Sequence, residues 1–261
     1  FRGIELATSI VVSISPDEGE HIKISQLYEG EGLFIEDSTE TYKHGVLSRT
    51  PYLYYSLMGT ALKYNVFEIN TVILLRVINL FFSLITVIYI YRIASLVDNS
   101  KLVRLLALVI ATNTAMFSFL SSSVSYDNLT NMFASISIFY LILFYKKIEL
   151  KYFIYLTIAT SLGLITKVTF APLAVIIVTI TLWIICRYLW SIRGNLDKVT
   201  SKIKPIHIII SALVIPPIFL VMNLYFVNIY KYSKLLPTCE QVLEIEKCRL
   251  NPTYTRDEEL I

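Results

Sequence analysis

Six long apolar runs constrain this chain of 261 residues more than any other feature. They cover residues 69–91, 103–121, 128–145, 152–166, 170–190 and 206–229. A bilayer core of roughly 30 Å requires about 20 apolar residues in helical form, which four runs supply and the two shortest reach only with interfacial residues at their ends. With 55% hydrophobic and 16% charged residues, the chain lacks the polar surface of a soluble helical protein. We therefore predict an all-α, polytopic bundle with six transmembrane helices.

The distribution of charge predicts which loops face the cytoplasm. Lys and Arg concentrate in the alternate segments 92–104, 146–151 and 187–204. Short loops rich in these residues stay in the cytoplasm. The segment 16–68 instead contains nine acidic and four basic residues, and the tail from residue 230 is also acid-rich. We therefore predict that both acidic regions are extracytoplasmic and that the first carries short interfacial helices.

These boundaries divide the chain into three parts: residues 1–68, 69–229 and 230–261. The first is the end of a truncated N-terminal region followed by an extracytoplasmic loop with an acidic motif, the second is the transmembrane region, and the third is the start of a second extracytoplasmic segment. Residues 1–15 are either the end of an upstream helix or an extracytoplasmic segment that follows one. Because the sequence has no initiator Met and stops within a polar stretch, we expect a fragment of a longer protein. Cys239 and Cys248 lie in the second extracytoplasmic segment, where an oxidising compartment would allow them to pair. A continuous helix would put them on roughly opposite faces, so pairing requires a turn between them. The alternative is two free thiols on a helix.

Three charged residues lie in or beside the apolar runs, at the end predicted to be outside: Arg76, Asp127 and Lys167. Charge at membrane depth is costly and often marks a functional site. Helical spacing puts Arg76 on one helix side with three polar residues: Asn79, Ser83 and Thr86. Two cations near the lipid phosphates indicate an anionic headgroup or lipid phosphate as ligand. The alternative is that the charged groups extend to the headgroups and have no further role.

An acidic motif, Pro16-Asp17-Glu18-Gly19-Glu20-His21, precedes a predicted helix in the first outer loop. A carboxylate at the membrane edge can act as a general base toward an acceptor hydroxyl. The alternative is that the acidic residues only stabilise the helix N-terminus. A divalent metal is less favoured, because no second ligand group is evident. The segment 44–55, which runs from His44 to Tyr55 and includes Tyr54, either anchors the chain at the interface or offers aromatic faces to a sugar.

Four motifs occur in order along the chain: the acidic motif at 16–21, Thr-Pro-Tyr-Leu-Tyr-Tyr at 50–55, Ser-Tyr-Asp at 125–127 and Gly-Leu-Ile-Thr-Lys at 163–167. Over residues 15–175 the chain resembles the GT-C membrane glycosyltransferases, in particular the protein O-mannosyltransferase and aminoarabinose transferase branches. Two positions depart from that pattern, since His44 is separated from Pro51 and Tyr126 precedes Asp127 where a small residue or Pro is expected.

The resemblance implies transfer of a sugar from a polyprenyl-phosphate carrier to an acceptor on the outer face of the bacterial inner membrane. It implies that Asp17 is the catalytic base with Glu18 beside it, and that Lys167 and Arg76 neutralise the leaving phosphate. We expect Asp17, Arg76 and Lys167 to line one cavity. The other expected substrate-binding residues are His21, Asp127 and Tyr54. We predict membrane lipid as a partner and no nucleic acid, because the cytoplasmic loops account for the basic residues.

Two alternative functions stay open. A transporter or flippase for a lipid-linked glycan would be expected to carry charges near mid-membrane and internal repeats, and neither is evident. A non-catalytic membrane assembly protein would not depend on Asp17 for its function.

Overall fold

The structure, a computed structural model, describes residues 2–9, 11–12, 15, 17–191 and 212–259, and all regular structure within those ranges is helical. The predicted helical class is therefore confirmed. The α-helices are α1 (Arg2–Ser9), α2 (Glu18–Glu31), α3 (Leu53–Lys63), α4 (Thr71–Val97), α5 (Lys101–Asn113), α6 (Ala115–Ser121), α7 (Tyr126–Lys147), α8 (Leu150–Thr166), α9 (Ala171–Ser191), α10 (Ile215–Val221), α11 (Val227–Tyr232), α12 (Cys239–Val242), α13 (Ile245–Cys248) and α14 (Pro252–Glu259). Single 3₁₀ turns cover Thr41–His44, Leu47–Arg49 and Val168–Phe170, and a π-helical turn covers Met222–Phe226. Pro16, most of the basic segment 187–204 and the start of the run 206–229 lie outside the described residues.

Three helices in the described ranges are long and apolar enough to cross a membrane: α4, α7 and the segment Val168–Ser191 that ends with α9. A fourth crossing is available if α5 and α6 form one broken span, since they meet at an angle of 67°. Helix α8 is apolar but shorter. The run 103–121, predicted as one helix, is therefore two.

The break between α5 and α6 has a local cause. Three consecutive side chains, those of Thr112, Asn113 and Thr114, each donate a hydrogen bond to the backbone carbonyl four residues earlier. Such bonds compete with the helical ladder and bend helices. Thr114 then adopts an extended conformation, with ψ of 117°, and begins the next helix.

Helix α4 carries its polar residues inward and its apolar residues outward. Arg76, Asn79, Ser83 and Thr86 are all buried. On the opposite side Ile73, Val77, Phe81, Leu84 and Ile88 are exposed. On a water-soluble protein the polar face of a helix is exposed and the apolar face is buried. The opposite arrangement of α4 suits a helix surrounded by lipid. The predicted polar stripe is confirmed.

Different segments of the chain meet at the two ends of the bundle. At one end the ammonium of Lys146 donates to the carbonyl of Leu96, which joins the basic segments 92–104 and 146–151. At the other end α2 and α3 pack together over the beginnings of α4 and α7. The acidic first loop thus lies opposite the basic turns, as the serpentine path requires.

Close packing stabilises the α2–α3 pair, and a disulfide links the short helices near the C-terminal end of the described residues. At Gly59 of α3 a Cβ would come within 2.6 Å of the Tyr28 backbone carbon, so the absence of a side chain allows α2 and α3 to meet backbone to backbone. Cys239 and Cys248 are joined by a disulfide, with α12 and α13 separated by the predicted turn. Their expected pairing is confirmed.

Candidate active site

A buried ion pair anchors the acidic motif to the transmembrane bundle. Glu18 is inaccessible to solvent and Arg76 is 2% exposed. The guanidinium donates through Nε and Nη2 to the two carboxylate oxygens, each at 2.8 Å, and Nη1 donates to the carbonyl of Ala7 at 3.0 Å. The amide of Val124 donates to the same carboxylate at 2.8 Å. The Glu18–Arg76 pair therefore ties together α1, α2, α4 and the loop before α7.

Asp17, next to Glu18 in sequence, has the opposite environment. Its backbone is left-handed, with φ of 59° and ψ of 3°, a conformation that Asp and Asn tolerate better than most residues. The residue is exposed, and its carboxylate has no hydrogen bond or ion pair within the described part of the chain. The backbone carbonyl of Asp17 accepts from the amide of His21 at 2.9 Å, which starts α2. The motif thus presents one carboxylate without a partner in the described residues at the surface of the end of the bundle where α2 and α3 pack.

A second buried network lies beneath the first. The amide of Asn79 donates to the hydroxyl of Tyr54 at 2.9 Å, and its oxygen accepts from Asn128 at 3.0 Å. Ser83 in turn donates to Asn128 at 3.0 Å. These bonds join α3, α4 and α7, and burial of amides without such partners would be costly. Tyr54, which sequence reasoning placed among substrate-binding residues, is 0% exposed and belongs to this core.

Lys167 and Asp127 form a second ion pair at the same end of the bundle. The ammonium lies 2.7 Å from the Asp127 carboxylate and 4.2 Å from the centre of the Tyr126 ring. Both charged side chains are partly exposed. The position of Lys167 depends on a tight turn after α8, because a Cβ at Gly163 would come within 2.5 Å of the Phe170 ring. Glycine therefore lets the chain fold back on α8 and direct Lys167 toward α7.

His21 connects the acidic motif to this ion pair. Its Nδ1 shares a hydrogen bond with the Tyr55 hydroxyl at 2.8 Å, and its ring contacts Tyr126 edge to face at 4.5 Å between centroids. Burial lowers the pKa of His21 below its ordinary value of 6.5, and Lys167 contributes in the same direction. The nearby Asp17 and Asp127 oppose that effect. The buried imidazole, with its pKa lowered, thus contacts the Tyr126 ring on which Lys167 lies.

The expected single cavity needs a correction. Asp17, His21, Asp127 and Lys167 share one region at the end of the bundle where α2 packs, but Arg76 is closed off in its pair with Glu18. An arginine at membrane depth requires a counterion, and Glu18 supplies it from 58 residues away. Sequence reasoning also missed two site features, the ring of Tyr126 beneath Lys167 and the ion pair of Glu20 with His44. Glu20 belongs to the acidic motif and Tyr126 to the Ser-Tyr-Asp motif, but no periodicity joins Glu20 to His44 or Tyr126 to Lys167.

The family model for dolichyl-phosphate-mannose-protein mannosyltransferases matches residues 57–219, more than half of the chain. The chain belongs to this family. It is accordingly a multi-pass membrane glycosyltransferase of the class that takes sugar from a lipid-phosphate donor. Comparison with curated proteins and with solved structures gives no match.

The match divides the site of this mannosyltransferase-family protein into two parts. Arg76, Asp127 and Lys167 lie within the matched residues, whereas Asp17 and His21 precede them. The role of the acidic motif therefore depends on the contacts that α2 makes with the matched region, namely Glu18 with Arg76 and His21 with Tyr126.

Proposed function

We propose that the protein transfers a sugar from a polyprenyl-phosphate carrier to an acceptor hydroxyl on the extracytoplasmic face of a bacterial cell membrane, with Asp17 as the general base. The observation that carries this proposal is the pairing of opposite environments in adjacent residues. Asp17 is exposed and has no partner in the described structure, while Glu18 is immobilised in a bidentate pair with Arg76. A base held by a rigid neighbour needs no reorganisation when the acceptor arrives.

Charge placement supports the donor half of the proposal. In the transition state negative charge develops on the phosphate oxygen that leaves the anomeric carbon, and a nearby cation stabilises it. Lys167 is partly exposed and lies among the groups that influence His21, as Asp17 does. On this proposal Lys167 exchanges Asp127 for the lipid phosphate, and Arg76 acts only by positioning Glu18 and hence Asp17. His21 and Tyr126 form the wall between base and ammonium.

The sugar transfer needs no reactant beyond the donor, the acceptor and Asp17. The acceptor oxygen forms a bond to the anomeric carbon while Asp17 takes the hydroxyl proton. The bond from that carbon to the phosphate oxygen breaks, and the polyprenyl phosphate leaves with the electron pair. The proton returns to solvent from the exposed carboxyl group.

The test is Asp17→Asn in purified protein, with transfer measured from radiolabelled polyprenyl-phosphate mannose. Loss of a general base lowers the rate by about 10²–10⁴-fold. Asn also tolerates the left-handed backbone of position 17, so the folded structure is retained. Glu29→Gln, an exposed acidic position on the same helix, is the matched control and retains activity. Full transfer by Asp17→Asn would show that the carboxylate is not the base.

The charge pattern disfavours a transporter or flippase. In the crossing helices of the described ranges, charged residues lie within about two turns of the helix ends, such as Arg76 and Arg92 in α4 and Asp127 and Lys146 in α7. A translocation pathway would be expected to place them near mid-membrane. A non-catalytic assembly role predicts that Asp17→Asn has no effect on the protein's function. A loss of sugar transfer in Asp17→Asn would exclude that role.

A further inference from the structure

Four tyrosines from three helices contact one another at the end of the bundle opposite α2 and α3. Tyr89 belongs to α4, Tyr140 to α7, and Tyr152 and Tyr155 to α8. The ring centroids of Tyr89 and Tyr152 each lie 6.4 Å from that of Tyr140, and the centroid of Tyr155 lies 5.0 Å from it. All four side chains are at least partly exposed. These four residues, the tyrosine cluster, form a continuous aromatic surface across three helices.

Three cations lie over rings of the tyrosine cluster. The guanidinium of Arg92 is 5.3 Å from the centre of the Tyr89 ring. The ammonium groups of Lys147 and Lys151 are 5.9 Å and 4.8 Å from the centre of the Tyr152 ring. A cation within about 6 Å of a ring centre is attracted by the ring face. The aromatic surface therefore holds one cation from each of the three helices α4, α7 and α8.

The charge of these cations is only partly balanced by carboxylates. The two basic segments at this end contain six basic and two acidic residues. Glu149 pairs with Lys151 at 2.7 Å. Arg92 and Lys147 form no ion pair within the ranges that the structure describes, and both are exposed. An anion is therefore the ligand that complements the cluster.

The surroundings of the cluster indicate that the anion belongs to a lipid. Ile85 and Ile136 lie one turn nearer the middle of the bundle than Tyr89 and Tyr140, on the same helix faces, and both are partly exposed. Acyl chains can contact this apolar surface while a phosphate contacts the cations. A quaternary ammonium headgroup would be repelled, because cations of the protein already lie over the rings that would attract it. The cluster therefore favours an anionic lipid over a zwitterionic one.

We propose that the tyrosine cluster, together with Arg92, Lys147 and Lys151, binds the phosphate of an anionic glycerophospholipid at the end of the bundle opposite the candidate active site. The guanidinium and the two ammonium groups donate to the phosphate oxygens, and the tyrosines supply hydroxyl donors. The rings hold the cations in place before the lipid arrives, which lowers the entropic cost of binding. The lipid thereby links α4, α7 and α8. Its binding does not depend on the proposed sugar transfer.

The first measurement counts the lipids bound to the purified full chain by native mass spectrometry. Phosphatidylglycerol and phosphatidylcholine with identical acyl chains are titrated separately, and phosphatidylglycerol binds more tightly. Arg92→Gln/Lys147→Gln weakens its binding about 30-fold, a loss of about 2 kcal/mol for two basic residues. Arg92→Gln alone, at an exposed position, weakens it about fivefold. The matched control Lys101→Gln/Arg104→Gln removes the same charge from α5 at the same end and changes the affinity less than about twofold.

The second measurement is the thermal unfolding temperature of the same proteins in micelles with and without phosphatidylglycerol. A lipid that binds the folded state raises this temperature, so the rise is smaller in Arg92→Gln/Lys147→Gln than in the unmodified protein and the control. Equal affinities for the two lipids, or equal losses in the cluster variant and its control, would overturn the proposal.

Two further results would also contradict the lipid site. Displacement of phosphatidylglycerol by equimolar inorganic phosphate would show that the cluster binds anions without using the acyl chains. Loss of phosphatidylglycerol in Lys167→Gln, with binding retained in Arg92→Gln/Lys147→Gln, would place the lipid at the candidate active site instead.

Discussion

Replacement of Arg76 by Met should destabilise the protein by an amount set by its buried partner. The substitution keeps the apolar stem but leaves the Val124 amide as the one remaining partner of the Glu18 carboxylate within the described residues, in a site without solvent access. Removing one member of a buried ion pair costs about 3–5 kcal/mol. The carboxyl group can escape by taking up a proton. Because the reference pKa of a glutamate is about 4.3, protonation at pH 7 costs about 3.7 kcal/mol.

An unpaired carboxylate and a protonated one predict nearly the same loss of stability at pH 7. Protonation also makes that loss depend on pH. The cost of supplying the proton falls to about 1 kcal/mol at pH 5, since each pH unit is worth about 1.36 kcal/mol. Arg76→Met should therefore recover most of its lost stability as the pH is lowered, relative to the unmodified protein. The double variant Glu18→Gln/Arg76→Met buries no charge and should lose less than Arg76→Met alone at pH 7.

The assay is reversible unfolding in mixed micelles at pH 7 and pH 5. The free energy of unfolding is determined for the unmodified protein, Glu18→Gln, Arg76→Met and the double variant. A coupling energy below about 0.5 kcal/mol would mean that the two side chains act independently. That result, or a loss in Arg76→Met that does not change with pH, would refute the view that Glu18 requires Arg76 as its counterion.

Two further predictions concern α2. Gly59→Ala should lower the free energy of unfolding by about 1–3 kcal/mol, because its Cβ would lie 2.6 Å from the Tyr28 backbone. Gly30→Ala, whose Cβ meets open space, should be neutral or slightly stabilising in the same unfolding assay, and equal effects of the two variants would contradict the close approach of α2 and α3. Burial lowers the pKa of His21 below 6.5, so the unfolded chain binds the proton first and stability falls as the pH drops below about 6.5. His21→Gln should flatten that part of the stability profile, and an unchanged profile would show that His21 does not titrate differently on folding.

Helical periodicity predicted part of this structure because it depends on local spacing alone. Arg76, Asn79, Ser83 and Thr86 were expected on one side of α4, and all four are buried there. The broken span at Thr114 was not predicted, since hydropathy averages over the three polar residues whose backbone bonds interrupt the helix. The partner of Arg76 could not be predicted either. Charge counts place Glu18 on the outer side, but only the packing of α2 on α4 decides which carboxylate meets the guanidinium.

The conformation of residue 17 explains why neighbouring carboxylates differ. With Asp17 left-handed, the chain turns sharply before α2, so that Asp17 stays at the surface while Glu18 enters the bundle. Loss of activity in Glu18→Gln would therefore not identify a catalytic residue, since it displaces Asp17 by weakening the anchor. The free energy of unfolding distinguishes the catalytic role proposed for Asp17 from the anchoring role of Glu18. Asp17→Asn should lower the transfer rate by about 10²–10⁴-fold with the free energy of unfolding unchanged. Glu18→Gln should lower both, because it removes the carboxylate that balances the charge of the buried Arg76 guanidinium.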